Sequence, residues 1–239
     1  PLAAVEQHGP HLPVGTDTHI MEGYLARVLE RLPRDAPVLI LPVQAIGTSR
    51  EHLAFRGTLT LTPETALRAW IEIGESVART GCRKLVVANS HGGNNALIDI
   101  LARELRVCAK MFVVRAFWHH FGYPDGLFTA FELRHGIHAG DIETSLMMEF
   151  RDELVRHDDI SNFKPASLDM EQRFQWLRAT GPHGFGWMSQ DLHESGAMGD
   201  ATLASAGKGE SAADYGVTAF IELLREVEAF DLSRLGEGD

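Results

Sequence analysis

Lys84-Leu-Val-Val-Ala-Asn-Ser-His-Gly-Gly-Asn-Asn-Ala-Leu-Ile-Asp-Ile-Leu101 carries the pattern that decides the fold. Lys84 to Ala88 is an apolar run of strand length, and Asn94 to Cys108 repeats its apolar positions at helical spacing. Asn89 to Gly93 is therefore a strand-to-helix turn with His91 at its tip. In an open parallel sheet, ligands bind in the crevice beyond the carboxyl ends of the strands, and glycines there let a substrate approach backbone amides closely. Gly92 and Gly93 are thus candidate substrate-binding positions.

Outward from this unit, helical and extended patterns alternate. Thr18 to Arg31 has helical period, and Val38 to Pro42 reads as an apolar strand. Thr62-Pro-Glu-Thr offers an N-cap with proline at the first helical position before Ala66 to Thr80, and Gly81 is a natural stop. Met111 to Phe117 reads as the next strand. A final helix from about Ala212 to Phe230 places Tyr215, Val217, Phe220, Ile221, Leu224 and Val227 at near-helical spacing. Strand, helix, strand order of this kind argues for an α/β fold with a parallel sheet. From Asp152 to Thr202 the pattern weakens, and Phe163, Phe174, Trp176, Phe185 and Trp187 are scattered among proline, glycine and polar residues. This suits an excursion over the mouth of a site or a subunit contact, set against a satellite apolar cluster under a surface loop. Trp187 is the aromatic expected nearest the substrate.

Chemistry concentrates in two further segments. Val5-Glu-Gln-His-Gly-Pro-His-Leu-Pro-Val-Gly-Thr-Asp17 sets Glu6 and His8 two apart, so they aim at one place if Leu2 to Val5 is a buried strand. Pro10, Pro13 and Gly15 break regular structure, and a loop folding back would bring Asp17 there, where one carboxylate can bridge two cations. His11, between two prolines, reads as a hydrogen-bond partner and not a ligand. His135-Gly-Ile-His-Ala-Gly-Asp-Ile-Glu-Thr-Ser145 reads as the opening of a helix. Asp141 there serves either as a charge at the helix N-terminus or in the site. Glu143 is better explained by burial toward a cation. His119 and His120 follow a strand, where alternation lets at most one of them face a cleft. Imidazole and carboxylate without thiolate suit zinc, manganese or iron with open coordination positions.

The pieces Glu6-Gln-His-Gly-Pro-His-Leu-Pro, Asn89-Ser-His-Gly-Gly-Asn and His138-Ala-Gly-x-x-Glu-Thr-Ser resemble the creatininase (creatinine amidohydrolase) family. The likeness extends through Gly47-Thr-Ser-Arg-Glu-His52, Phe55-Arg-Gly-Thr58 and Gly196-Ala-Met-Gly-Asp200 to Lys208-Gly-Glu210. The resemblance implies a three-layer α/β sandwich, with a mostly parallel central sheet flanked by helices. It also implies two divalent metal ions, hydrolysis of C–N bonds in amides, cyclic amides or formamides, and a homo-hexamer built from dimers. Carried over by position, Glu6 and His91 resemble ligands of one metal, His8 a ligand of the other, Asp17 the bridge and His138 the proton-transfer residue. Creatininase proper follows its motif histidine with Tyr-Glu, where this chain has Gly92-Gly93, and has a glutamate where this chain has Ile137. Glu143 or Asp141 is then the candidate for the missing carboxylate, and creatinine itself is not the expected substrate.

Length and composition agree with one metal-dependent hydrolase domain spanning 1–239, since 239 residues at 44% hydrophobic content bury a sizeable core. A net charge of −11 disfavours nucleic acid and anionic membranes, and no apolar run approaches a membrane span. A small-molecule substrate and a cytoplasmic location follow as expectations. Cys82 and Cys108 form no Cys-x-x-Cys pair and read as free, buried thiols. The expected reaction is metal-assisted amide hydrolysis, with His138 donating a proton to the departing nitrogen. The alternatives are a hydrolase opening a lactone or cleaving a C–C bond in a sugar-derived ketone, a peptidase and, least favoured, a non-catalytic metal-binding protein. Lys208 is expected at the surface at the start of the final helical region, or on a substrate carboxylate.

Overall fold

The computed structural model describes residues 1–236. Alternation along the two central strands builds the layers. β1 (Lys84–Asn89) pairs in parallel with β2 (Phe112–Phe117), in register from Lys84 opposite Phe112 to Asn89 opposite Phe117. Leu2 extends this sheet through single parallel bridges to Asn89 and Gln44. Leu2, Leu85, Val87, Val113 and Phe117 point to one face, where α2 (Pro63–Arg79) and α3 (Asn95–Ala109) cover them with Trp70, Ile98, Leu101 and Leu105. Ala3, Val86, Ala88 and Ala116 point to the other face, covered by α1 (Thr16–Arg31), α5 (Asp141–Arg151) and α8 (Ala206–Ala229). This is the period-2 pleat turned into a helix–sheet–helix sandwich.

Between β2 and α5 lies α4 (Ala130–His135). Beyond α5 come β3 (Asn162–Phe163), α6 (Ser167–Arg173), α7 (Ser189–Leu192) and β4 (Gly199–Asp200), with β3 and β4 antiparallel. Thr62 caps α2 as its sequence implies, its side chain accepting from the Thr65 N–H.

Three expectations need correction, and one pair of alternatives is narrowed. Val38 to Pro42 forms no ladder. Pro37 and Pro42 bracket it without N–H donors, Leu39 is 89% exposed, and the chain meets the sheet only at Gln44. The last helix starts earlier, at Ala206, because the Ser205 side chain accepts from the Lys208 N–H and caps it, while Gly207 and Gly209 obscure its start in the sequence. Its Tyr215 is exposed. Cys82 and Cys108 are free but exposed. Cys82 lies in the turn before β1, and Cys108 lies in the last turn of α3 beside Glu75. The 152–202 segment builds its own apolar cluster of Ala179, Leu192 and Met198, with Ile137, Met170 and Trp187 packed on it.

Candidate metal centre

The carboxyl end of β1 meets the N-terminal segment edge to edge, with Leu2 N–H donating to Ala88 O and Ser90 N–H to Leu2 O. This sets Glu6 and His8 beside His91. The loop folds back as a short hairpin, closed by Glu6 N–H to Val14 O and turned at Gly9, whose φ of +65° favours glycine. The hairpin delivers Asp17 on the first turn of α1, where the Ser90 hydroxyl donates to its carbonyl.

Among the described residues, four groups of side chains could hold a cation, and two of them share Asp17, the triads Glu6–Asp17–His91 and His8–Asp17–Glu143. His91 Nδ1 lies 3.3 Å from Glu6 Oε1 and 3.3 Å from Asp17 Oδ2. His8 Nε2 lies 3.6 Å from Asp17 Oδ1 and 3.9 Å from Glu143 Oε2. The two oxygens of Asp17 thus face different histidines. The remaining ring nitrogens are tied to backbone carbonyls, His91 Nε2 to Thr48 O at 2.8 Å and His8 Nδ1 to Glu6 O at 3.0 Å. When each of these donates its N–H, the lone pair on the opposite nitrogen points into the site. Glu6 Oε2, His8 Nε2 and Asp17 Oδ2 are buried and have no hydrogen-bond partner within the protein. Buried polar atoms are rarely left so, and donors of this type and convergence fit divalent cations.

Electrostatics agree with this fit. Burial disfavours charge on His8, but Asp17, Glu143 and Glu6 outweigh it and raise its pKa to about 9. Burial likewise opposes a charge on His91, and Glu6 and Asp17 drive its pKa well above the ordinary value. Without a cation, protons thus neutralise the carboxylates. Burial also raises Glu143 to about 7, against the opposing pull of His8. His138 differs: burial and the neighbouring His8 and His52 hold it well below the usual imidazole range, so it is neutral. Its Nε2–H donates to Gln7 O at 2.7 Å, and its Nδ1 lies 3.5 Å from Glu6 Oε1.

His138 and Glu143 are aimed by one turn. Ala139 has φ +54°, an uncommon conformation for alanine, and its N–H donates to Glu143 Oε2 at 2.5 Å. Glu132 lies beneath this turn, 1% exposed, accepting from Ile142 N–H at 3.1 Å. Burial raises its pKa to about 7. No spacing in the sequence singles Glu132 out. Asp141 lies away from the ligands, accepting from Lys208 Nζ at 2.5 Å and the Ser145 hydroxyl at 3.0 Å. This pairing also accounts for Lys208. His11 bonds Thr144 Oγ1 at 2.9 Å and stays outside both triads.

The centre opens into a cleft of about 960 Å³ lined by Gly92, Gly93, His119, His120, Phe185 and Trp187, among others. Both histidines line it, contrary to the alternation argument, because Trp118–Phe121 is a 3-10 turn and not extended strand. Glu51 and His52 also reach the centre. His52 Nε2 lies 3.6 Å from Glu6 Oε1, and Glu51 Oε1 lies 3.7 Å from His91 Nε2. In the sequence only the family resemblance of Gly47-Thr-Ser-Arg-Glu-His52 points to this segment.

The creatininase family pattern, described as creatinine amidohydrolase, matches residues 1–224. The chain belongs to the creatininase family. It is similar to a mycofactocin precursor peptide peptidase of Mycolicibacterium smegmatis, 30% identical over 88% of this chain and 76% of that one. Creatinine amidohydrolase of Pseudomonas putida is 28% identical over 95% of this chain and 87% of that one. A 3-dehydro-scyllo-inosose hydrolase of Thermotoga maritima is 23% identical over 100% and 78%. Among solved structures, a manganese creatininase superposes with a TM-score of 0.73 at 27% identity, covering 95% of this chain and 88% of that one. A mutant creatininase of Zn-Zn type gives 0.72 at 28%, with the same coverage. The likeness bears out the α/β sandwich. Among the described residues, no helix is long and apolar enough to cross a membrane.

Proposed function

We propose that this creatininase-family chain is a metal-dependent amide hydrolase with two divalent ions. Glu6, His91 and one oxygen of Asp17 would hold one, and His8, Glu143 and the other oxygen of Asp17 the second. The observation that carries the reading is the pair of triads sharing Asp17, with unpartnered buried oxygens and nitrogen aimed between them. Bound there, zinc, manganese or iron would lower the pKa of water toward neutrality and withdraw charge from a substrate carbonyl.

The chain's own residues supply the proton steps. His138 is neutral and its Nε2–H is committed to Gln7 O, so Nδ1 holds the free lone pair facing the centre. Nδ1 accepts a proton from the attacking water as the new C–O bond forms. It then returns that proton to the amide nitrogen as the C–N bond breaks, giving an acid and an amine. Gly92 and Gly93 let the carbonyl approach, and Trp187 flanks it. Glu143 carries a second duty, holding the Ala139 turn that aims His138.

The cleft of about 960 Å³ has room for an amide or formamide within a larger molecule as well as for a small ring. The peptidase among the relatives keeps peptides within this class. The test is a panel of N-formyl compounds, cyclic amides, creatinine, short peptides and lactones on manganese- or zinc-loaded protein. Turnover of an amide with negligible creatinine hydrolysis is expected, since Gly93 and Ile137 stand where creatininase proper has carboxylates. Turnover of lactones or sugar-derived ketones alone would move the reaction to the second class. Silence across the panel with metal bound would favour a binding protein.

A further inference from the structure

Gly93 has no room for a side chain. A β-carbon built there would stand 2.5 Å from Glu51 Oε1, 2.5 Å from His91 Nε2 and 2.5 Å from Thr48 O. The space of a side chain at 93 is therefore already taken, by the His91 ring, by the Thr48 backbone carbonyl and by the Glu51 carboxylate arriving from the turn Arg50–His52. Glu51, His52 and Glu6 can each bring one ligand atom within 4.8 Å of the others, a group that shares Glu6 with the Glu6–Asp17–His91 triad and lies on the Nε2 side of His91. Within that group, His52 Nδ1 and Glu6 Oε2 are buried without hydrogen-bond partners, and both residues are at least 98% buried. Ser189 anchors the segment by donating its hydroxyl to Glu51 O at 3.0 Å. The Glu51 side chain is 22% exposed, whereas those of Glu6 and His91 are 1% and 4% exposed, so it stands between solvent and the Glu6 triad.

We propose that Glu51 and His52 form an additional donor pair for the divalent cation on the Glu6 side, and that Gly93 lacks a side chain to leave room for it. This rests on the two-ion reading above. The Glu6–Asp17–His91 triad alone holds two carboxylates and one imidazole. Glu51 adds a third carboxylate on the cleft side, and His52 a second imidazole. Glu143 is placed to do the same work on the His8 side, so losing either carboxylate should weaken a different ion.

The test titrates metal-free protein with manganese chloride or zinc chloride against a chelator of known affinity, with elemental analysis of stoichiometry. Wild type should bind two ions. Glu51→Gln should weaken one of them at least tenfold and leave the other within twofold, the size expected when a ligand or its orienting partner is lost. Circular dichroism checks folding, and Glu51→Asp serves if Glu51→Gln is unfolded, with the same selective loss expected. Both affinities within twofold of wild type in Glu51→Gln would overturn the inference while leaving the two-ion reading intact. A wild type that binds no ion would overturn both.

Discussion

At Asp17 one side chain faces two histidines through two oxygens, and its loss should be felt twice. Asp17→Ala is expected to abolish binding of both ions, whereas Glu143→Gln should cost only the ion on His8, since Gln keeps the shape but not the charge. Elemental analysis of the two purified variants decides this, and loss of both ions in Glu143→Gln would dismiss the assignment of separate triads. Protons compete for the same atoms. With its pKa raised to about 9, His8 is protonated near pH 7 in the metal-free protein, so metal uptake must release that proton. The sign follows from the raised value. The stability that protonated His8 lends the metal-free fold is complete below 6.5 and lost as pH rises through about 9, while metal affinity grows over that interval. Calorimetry in buffers of different ionisation enthalpy should register release of at least one proton per chain at pH 7, and uptake without release would contradict the protonation of His8. The ligand types were legible in the sequence because Glu6, His8 and Asp17 sit close together and His91 lies in a glycine-rich turn. Glu51 and Glu132 were not, since their meaning comes from what the fold brings beside them.

Among the elements, α5 and α8 decide how well the site is held, because α5 carries Glu143 and its N-terminal turn aims His138. The two helices approach so closely at Gly209 that a β-carbon there would overlap the Ser145 carbonyl. Gly209→Ala gains about 1 kcal/mol of helix propensity but should lose about 1–3 kcal/mol or more to overpacking against backbone that cannot turn aside. Net destabilisation is expected in denaturant unfolding, and a more stable variant would mean that the helices separate freely. The strand–turn–helix unit from Lys84 to Ala109 was readable because local periodicity and tertiary packing agree there. Val38 to Pro42 was misread because its composition is that of a strand, while its flanking prolines and exposed Leu39 show that no neighbour completes the ladder. The start of α8 was hidden for the opposite reason: Gly207 and Gly209 weaken the local helix signal, and close packing against α5 overrides it.

Across the whole molecule, aromatic exposure ranges from core to solvent, and its exposed end gathers mostly in one segment. Trp70 and Trp118 are each 4% exposed, whereas Trp176 is 66%, Phe174 45% and Phe185 40% exposed, all within one segment beside the cleft. The aromatic segment is thus not uniformly free, since Phe163 is buried at 5% and Trp187 packs on the Ala179 cluster. What remains, with Leu177 at 42%, is a run of large apolar side chains that water solvates poorly, and a homo-oligomer would cover it. The net charge of −11 opposes casual association, so a stable assembly must rest on such a patch. Light scattering at micromolar concentration should give a mass above that of one chain. Trp176 supplies an independent readout: acrylamide should quench its fluorescence weakly in the assembly and strongly once Phe174→Ser or dilution has separated the chains. A single-chain mass with freely quenched Trp176 would reject the homo-oligomer and assign these aromatics to contacts with substrate or with a different partner.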